Sequence, residues 1–146
     1  MALLSGKSVV VKWDTPSTGT PTPAAFACET NATLSMTQNT TSVSCKSAAA
    51  GGWESAVATT KSWEVTCEAL MQDDDAKTEG EFVDLSELFI TGPNDVSLSI
   101  GDATTIGTWT GKAICTSLTL NAPDGDSATY SATFTGVGAL TYVAKT

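Results

Sequence analysis

The chain contains no arginine and no histidine. Its seven basic residues are all lysines, set against sixteen acidic ones, for a formal net charge of −9. Phosphate contacts need cations, so an acidic chain without arginine is poorly equipped to bind nucleic acid. The lack of histidine removes the usual general base and the commonest metal ligand. Charged residues make up only 16% of the chain, and no apolar run approaches the roughly 20 residues of a membrane span, so no membrane anchor is expected. The four cysteines, Cys28, Cys45, Cys67 and Cys115, contain no C-x-x-C pair, which disfavours a zinc or redox motif. The opening "ALLSGKSVVVKW" is too short and too interrupted by Lys7 and Lys12 to read as a signal peptide. Reduced, structural thiols in a cytosolic setting are therefore expected.

Threonine, serine, alanine and glycine fill the space left by charge. That mixture favours short strands and many turns over a helical bundle, and 146 residues suit one domain, 1–146. The β-branched run at 7–13 (KSVVVKW) predicts a first strand. Three prolines and a glycine make 14–23 a loop. Ala32, Leu34 and Met36 alternate with Thr33, Ser35 and Thr37, as in a half-buried strand; residues 41–45 continue it or pair with it. Residues 53–59 read as a helical turn or an irregular arm. From 61 to 70, Trp63, Val65, Cys67 and Ala69 share one face, and Ser62, Glu64, Thr66 and Glu68 the other.

The one helix is expected at 84–91, with Asp84 as N-cap, Glu87 completing a capping box and Val83 and Leu88 as a hydrophobic staple. Leu85, Leu88 and Phe89 fall on its apolar face, and Gly92-Pro93 ends it. Val96, Leu98 and Ile100 alternate in the next strand. Ile114, Leu118 and Leu120 then form one side of another, interrupted by Thr116. "NAPDGD" is a hairpin turn. In the last strand Ala128, Tyr130, Ala132 and Phe134 form the core side. Thr129, Ser131, Thr133 and Thr135 form a side with no charge at all. Gly136 and Gly138 allow a bulge. The pattern is an all-β sandwich or barrel with one short flanking helix.

No catalytic, cofactor or metal residues are expected. The cluster Asp73, Asp74, Asp75, Glu79 and Glu81 lacks the calcium-loop pattern and reads as a solvated acidic loop. Glu64 and Glu68 lie roughly 13 Å apart along one strand face, too far for a glycosidase pair. Neither S-x-x-K nor G-x-S-x-G occurs. Trp63 reads as core. Trp13, Trp53 and Trp109 read as packing residues first and as a sugar platform second.

Taken in order, the T-N-A-T-L-S strand, the S-C-K-S segment before Gly51-Gly52-Trp53, the spacing of Trp53, Trp63 and Glu68, and a final hairpin ending in G-x-G-A-L resemble the major tail tube proteins of long-tailed bacteriophages. The resemblance covers about residues 7–143. It implies a tail-tube β-sandwich with a flanking helix, and hexameric rings stacked into a hollow tube through which DNA is ejected. The implied setting is the virion tail, assembled in the host cytoplasm. Implied partners are further copies of the chain, a tape-measure protein, and tail-terminator and tail-tip proteins. DNA would pass without specific binding, as a lining without cations allows. The loops at 14–23, 46–52 and 71–80 are the expected contact segments. An Ig-like decoration or adhesion module, or a carbohydrate-binding module carried by Trp13, Trp53 and Trp109, is the alternative.

Overall fold

The computed structural model describes residues 3–14, 24–25, 29–43, 53–71, 82–91 and 95–146. A single 3-10 turn, Gly6–Ser8, precedes β1 (Val10–Asp14). Then follow β2 (Ala24–Ala25), β3 (Glu29–Val43), β4 (Ser55–Leu70), α1 (Phe82–Thr91), β5 (Val96–Asp102), β6 (Gly107–Asn121) and β7 (Thr129–Val143). The strands form one seven-stranded sheet in the order β2-β1-β5-β6-β7-β4-β3, antiparallel throughout. The all-β class with one short helix is as the sequence predicts.

A flat sheet with one short helix could not bury a whole face. This sheet folds over on itself. β6 and β7 are long enough to serve two layers. Residues 129–135 of β7 pair with β4, which pairs with β3. Residues 107–113 of β6 pair with β5, which pairs with β1. The first layer is thus β3, β4 and the facing halves of β7 and β6; the second is β2, β1, β5 and the other halves. Register shifts at Thr110/Lys112 and Cys115/Ser117 mark where the long strands turn from one layer into the other, the usual work of bulges at sheet corners. The fold-over brings β1 into contact with β3, at the far side of the sheet.

One core lies between the layers. Trp63, Val65, Cys67 and Ala69 of β4 and Tyr130, Ala132 and Phe134 of β7 meet Val11 and Trp13 of β1 and Val96, Leu98 and Ile100 of β5. Leu85 and Leu88 of α1 join the same cluster. The period-two alternation of β4, β5 and β7 survives intact, because each strand shows one face to this core.

Several local expectations change. Residues 6–8 are a 3-10 turn capped by the Ser5 hydroxyl, which accepts from the Lys7 amide at 3.4 Å, so β1 begins at Val10. Residues 55–59 are strand, the first part of β4, held by pairing with β3 rather than by any local signal. β3 continues through Thr41 to Val43. The helix begins at Phe82, so Asp84 lies inside it and is not its N-cap. Phe89 is 55% exposed; among the described side chains of the helix, Leu85 and Leu88 carry it into the core. On β6 the buried side is Ala113, while Ile114 and Leu120 are exposed. Ile114 lies opposite the outward Thr135 and Cys115 opposite the buried Phe134, and the partner strand sets this phase. Cys67 is buried and Cys115 half-buried. The expected contact loops at 14–23, 46–52 and 71–80, apart from Asp14 and Met71, lie outside the described residues, as do the acidic cluster at 73–81, Cys28, Cys45 and Gly92-Pro93.

Candidate functional site

The uncharged side of β7 belongs to a surface four strands wide. Thr135, Thr133 and Ser131 lie opposite Glu64, Thr66 and Glu68 of β4. Those lie opposite Ser35, Thr33 and Asn31 of β3. On the other flank Ser117 and Thr119 of β6 lie opposite Thr133 and Ser131. Among the described residues, the outer face of the first layer is therefore mostly hydroxyls, with two carboxylates, Ile114 opposite Thr135, and no cation. Register alone places them together, since their inward neighbours are the core residues of the same strands.

Side-chain bonds tie this face down. The extra residue of the Cys115/Ser117 bulge, Thr116, donates its hydroxyl to the Thr133 carbonyl at 3.3 Å and lies 3.5 Å from the Thr135 hydroxyl. Thr30 donates to the Glu68 carbonyl at 3.2 Å. At one end the surface dips into a shallow cavity of about 300 Å³ lined by residues that include Glu68, Thr119, Asn121 and Ser131. Behind the bulge, burial pushes the Cys115 thiol above its ordinary pKa, and the thiol lies 3.6 Å from the Ser117 carbonyl.

The outer face of the second layer differs. Val11 and Trp13 point inward, so Lys12 points out; Ala113 points inward, so Lys112 points out. With Ser97, Ser99 and Thr110 between them in register, this face carries cations. The second layer thus presents lysines where the described face of the first presents none.

Both flanks of the first layer end in open strands. Among the described residues, β3 has a ladder partner on one side only, and residues 114–121 of β6 pair only with β7. Neither stretch contains lysine or proline, the residues that usually blunt an exposed edge. Beyond Glu64 the pairing of β4 with β7 stops, and residues 36–43 and 55–62 continue as a two-stranded arm, exposed throughout. Its bulge is fixed by Asn39, whose amide donates to the Thr60 hydroxyl at 2.8 Å while its carbonyl accepts from the Thr59 hydroxyl at 3.1 Å.

The three tryptophans of the alternative sugar platform do not come together. Trp13 is buried in the core. Trp109 packs against Tyr142 with ring centroids 5.3 Å apart. Trp53 stands 82% exposed at the far end of the arm, next to the Val43–Ser55 pair. No signal in their spacing could have separated them; β-strand register does.

No curated protein matches the chain by sequence. Solved structures do match by fold. A tail subunit of an empty gene transfer agent particle, refined with C6 symmetry, superposes with a TM-score of 0.76 at 19% identity, over 97% of this chain and 100% of that one. The SPP1 tail tube subunit gives 0.73 at 8% identity, over 98% and 80%. A chain from the PVC sheath-tube complex, an extracellular contractile injection system, gives 0.61 at 15%, over 97% and 92%. At such identities the likeness is one of fold. Membership rests on sequence: the profile described as "Phage tail tube protein" matches residues 3–142, and the chain belongs to the phage tail tube protein family, as a structural, tube-forming component of the virion tail.

Proposed function

We propose that copies of this chain close into hexameric rings, that the rings stack into a hollow tube, and that the outer face of the first layer lines its bore. The observation that carries this is the four-stranded hydroxyl and carboxylate face bounded on both sides by unblunted edges. Edge strands of this kind are stable in solution only when covered or paired. A neighbour that pairs β3 of one copy with β6 of the next removes both edges and continues the face. The ring count follows the sixfold symmetry of the gene transfer agent tail. Six copies of four strands give about 24 strands, and at ~4.8 Å spacing and ~40° tilt the backbone ring is about 48 Å across. Inward side chains reduce that by roughly 10 Å, which leaves ample room for a DNA duplex.

The chemistry of the lining suits passage. Each phosphate held by a lysine would have to be released again, with a cost that multiplies over many contacts. Hydroxyls with two carboxylates per copy offer no such trap, and repel at a range of ~8 Å in physiological salt. The same bore accommodates a tape-measure protein during assembly, and the tube ends meet terminator and tip proteins. The role is structural and non-enzymatic, and residues 1–146 act as one domain. The exposed arm, charged only at Lys61, reaches the adjacent ring. The test is Glu64→Lys with Glu68→Lys. Tubes are expected to form, seen by negative-stain electron microscopy, while DNA ejection slows. Unchanged ejection would mean that this face looks elsewhere.

A further inference from the structure

We infer that Trp63 is the positioning residue of the arm: its indole latches the base of the arm to β7 and fixes the direction in which the arm leaves the sheet. The role of the arm in ring contact is taken from the proposed function; the latch is a property of the subunit itself. The β4–β7 ladder ends at the Glu64–Thr135 pair. In place of the next pair, the Trp63 indole lies across Gly136, where a Cβ atom would overlap the ring. Its far edge lies over Gly111 of β6, where a Cβ would come within 2.7 Å. Opposite Gly111 the β7 backbone bulges between Val137 and Thr141, with Gly138 at φ +79°. A bulge releases backbone groups from the ladder, and here the Gly138 carbonyl accepts the indole N–H at 3.2 Å.

The indole therefore replaces the ladder at the fork. It is 5% exposed, while Met36, its register partner on β3, is 60% exposed. Burial ends at this residue. Two glycines and a bulge serve one side chain. A two-stranded ribbon has little stability of its own, so its orientation depends on what holds its base.

The experiment compares Trp63→Phe and Gly111→Ala with wild type. Phenylalanine keeps an aromatic ring but loses the N–H; alanine at 111 displaces the indole without opening the core. Amide hydrogen exchange is read on the unassembled subunit, and tube formation by light scattering. Arm amides at 36–43 and 55–62 are expected to exchange about five- to tenfold faster, as for one lost hydrogen bond, with amides at 65–69 and 130–134 unchanged and tube formation delayed. Faster exchange of arm and core together would overturn the latch, as would unchanged arm exchange in both variants. Val57→Glu, at the exposed part of the arm, separates the two ideas. Blocked assembly in Val57→Glu with normal assembly in Trp63→Phe overturns the latch and leaves the arm contact standing. Normal assembly in both overturns the arm contact.

Discussion

Asp102, at the turn from β5 to β6, shows how one side chain can fix a corner. Its carboxylate accepts from the Thr104 amide at 3.0 Å, the Thr104 hydroxyl at 2.8 Å and the Thr105 hydroxyl at 2.7 Å. The Thr105 hydroxyl, then the Thr104 donors, hold its pKa below the ordinary 3.8. A depressed carboxylate pKa favours the folded state while the group is ionised. That contribution is present in full above pH 3.8 and is lost as pH falls through the lower folded value. Asp102→Asn is expected to reduce stability near neutrality and to flatten the acid limb of a denaturation curve below that point, leaving no difference from wild type at the acid extreme. A variant whose loss persists there would place the effect in packing rather than in the carboxylate.

Among the elements, α1 and the arm are opposite cases. The helix is ten residues long, too short to persist alone, and its place depends on Leu85 and Leu88 in the core. Leu85→Ala is expected to cost about 2–5 kcal/mol in denaturant unfolding. Ile90, 79% exposed on the same helix, is expected to tolerate alanine within about 0.5 kcal/mol. Equal losses would mean that the helix sits against the core differently. The arm has no core contribution beyond Trp63, so its residues are free to serve contacts with other copies. β6 lies between these cases. Its first half contributes Ala113 to the core, and its second half exposes Leu120 while pairing, among the described residues, only with β7.

At the scale of the whole molecule, charge and edges oppose one another. A net charge of −9 keeps separate copies apart, and the open edges of β3 and β6 draw them together. Raising salt from about 10 mM to 150 mM shortens the Debye length from roughly 30 Å to 8 Å. Tube formation from purified subunits is expected to start sooner and at lower protein concentration as salt rises, followed by light scattering. Slower assembly with salt would mean that contacts between opposite charges, such as the lysine-bearing second layer against an acidic neighbour, dominate the interface.

Period-two alternation determined the core faces of β4, β5 and β7, because a strand with one buried side must write that side into every second residue. Composition determined the absence of a cation-rich surface, since no fold can supply arginines the chain lacks. The tertiary structure alone decided the rest. Residues 55–60 carry no strand-burial signal, and become strand because β3 runs beside them. Ile114 looks like core, and is exposed because pairing with the outward Thr135 sets its phase, while Leu120 lies opposite the buried Tyr130 and is exposed because, among the described residues, no strand lies on its other flank. Glu64, Thr133, Thr33 and Ser117 are scattered over some hundred residues of sequence, and share one face only through register across four strands. Local pattern records which side of a strand is apolar; which strands lie beside it depends on hydrogen bonds between distant segments, and these no single stretch contains.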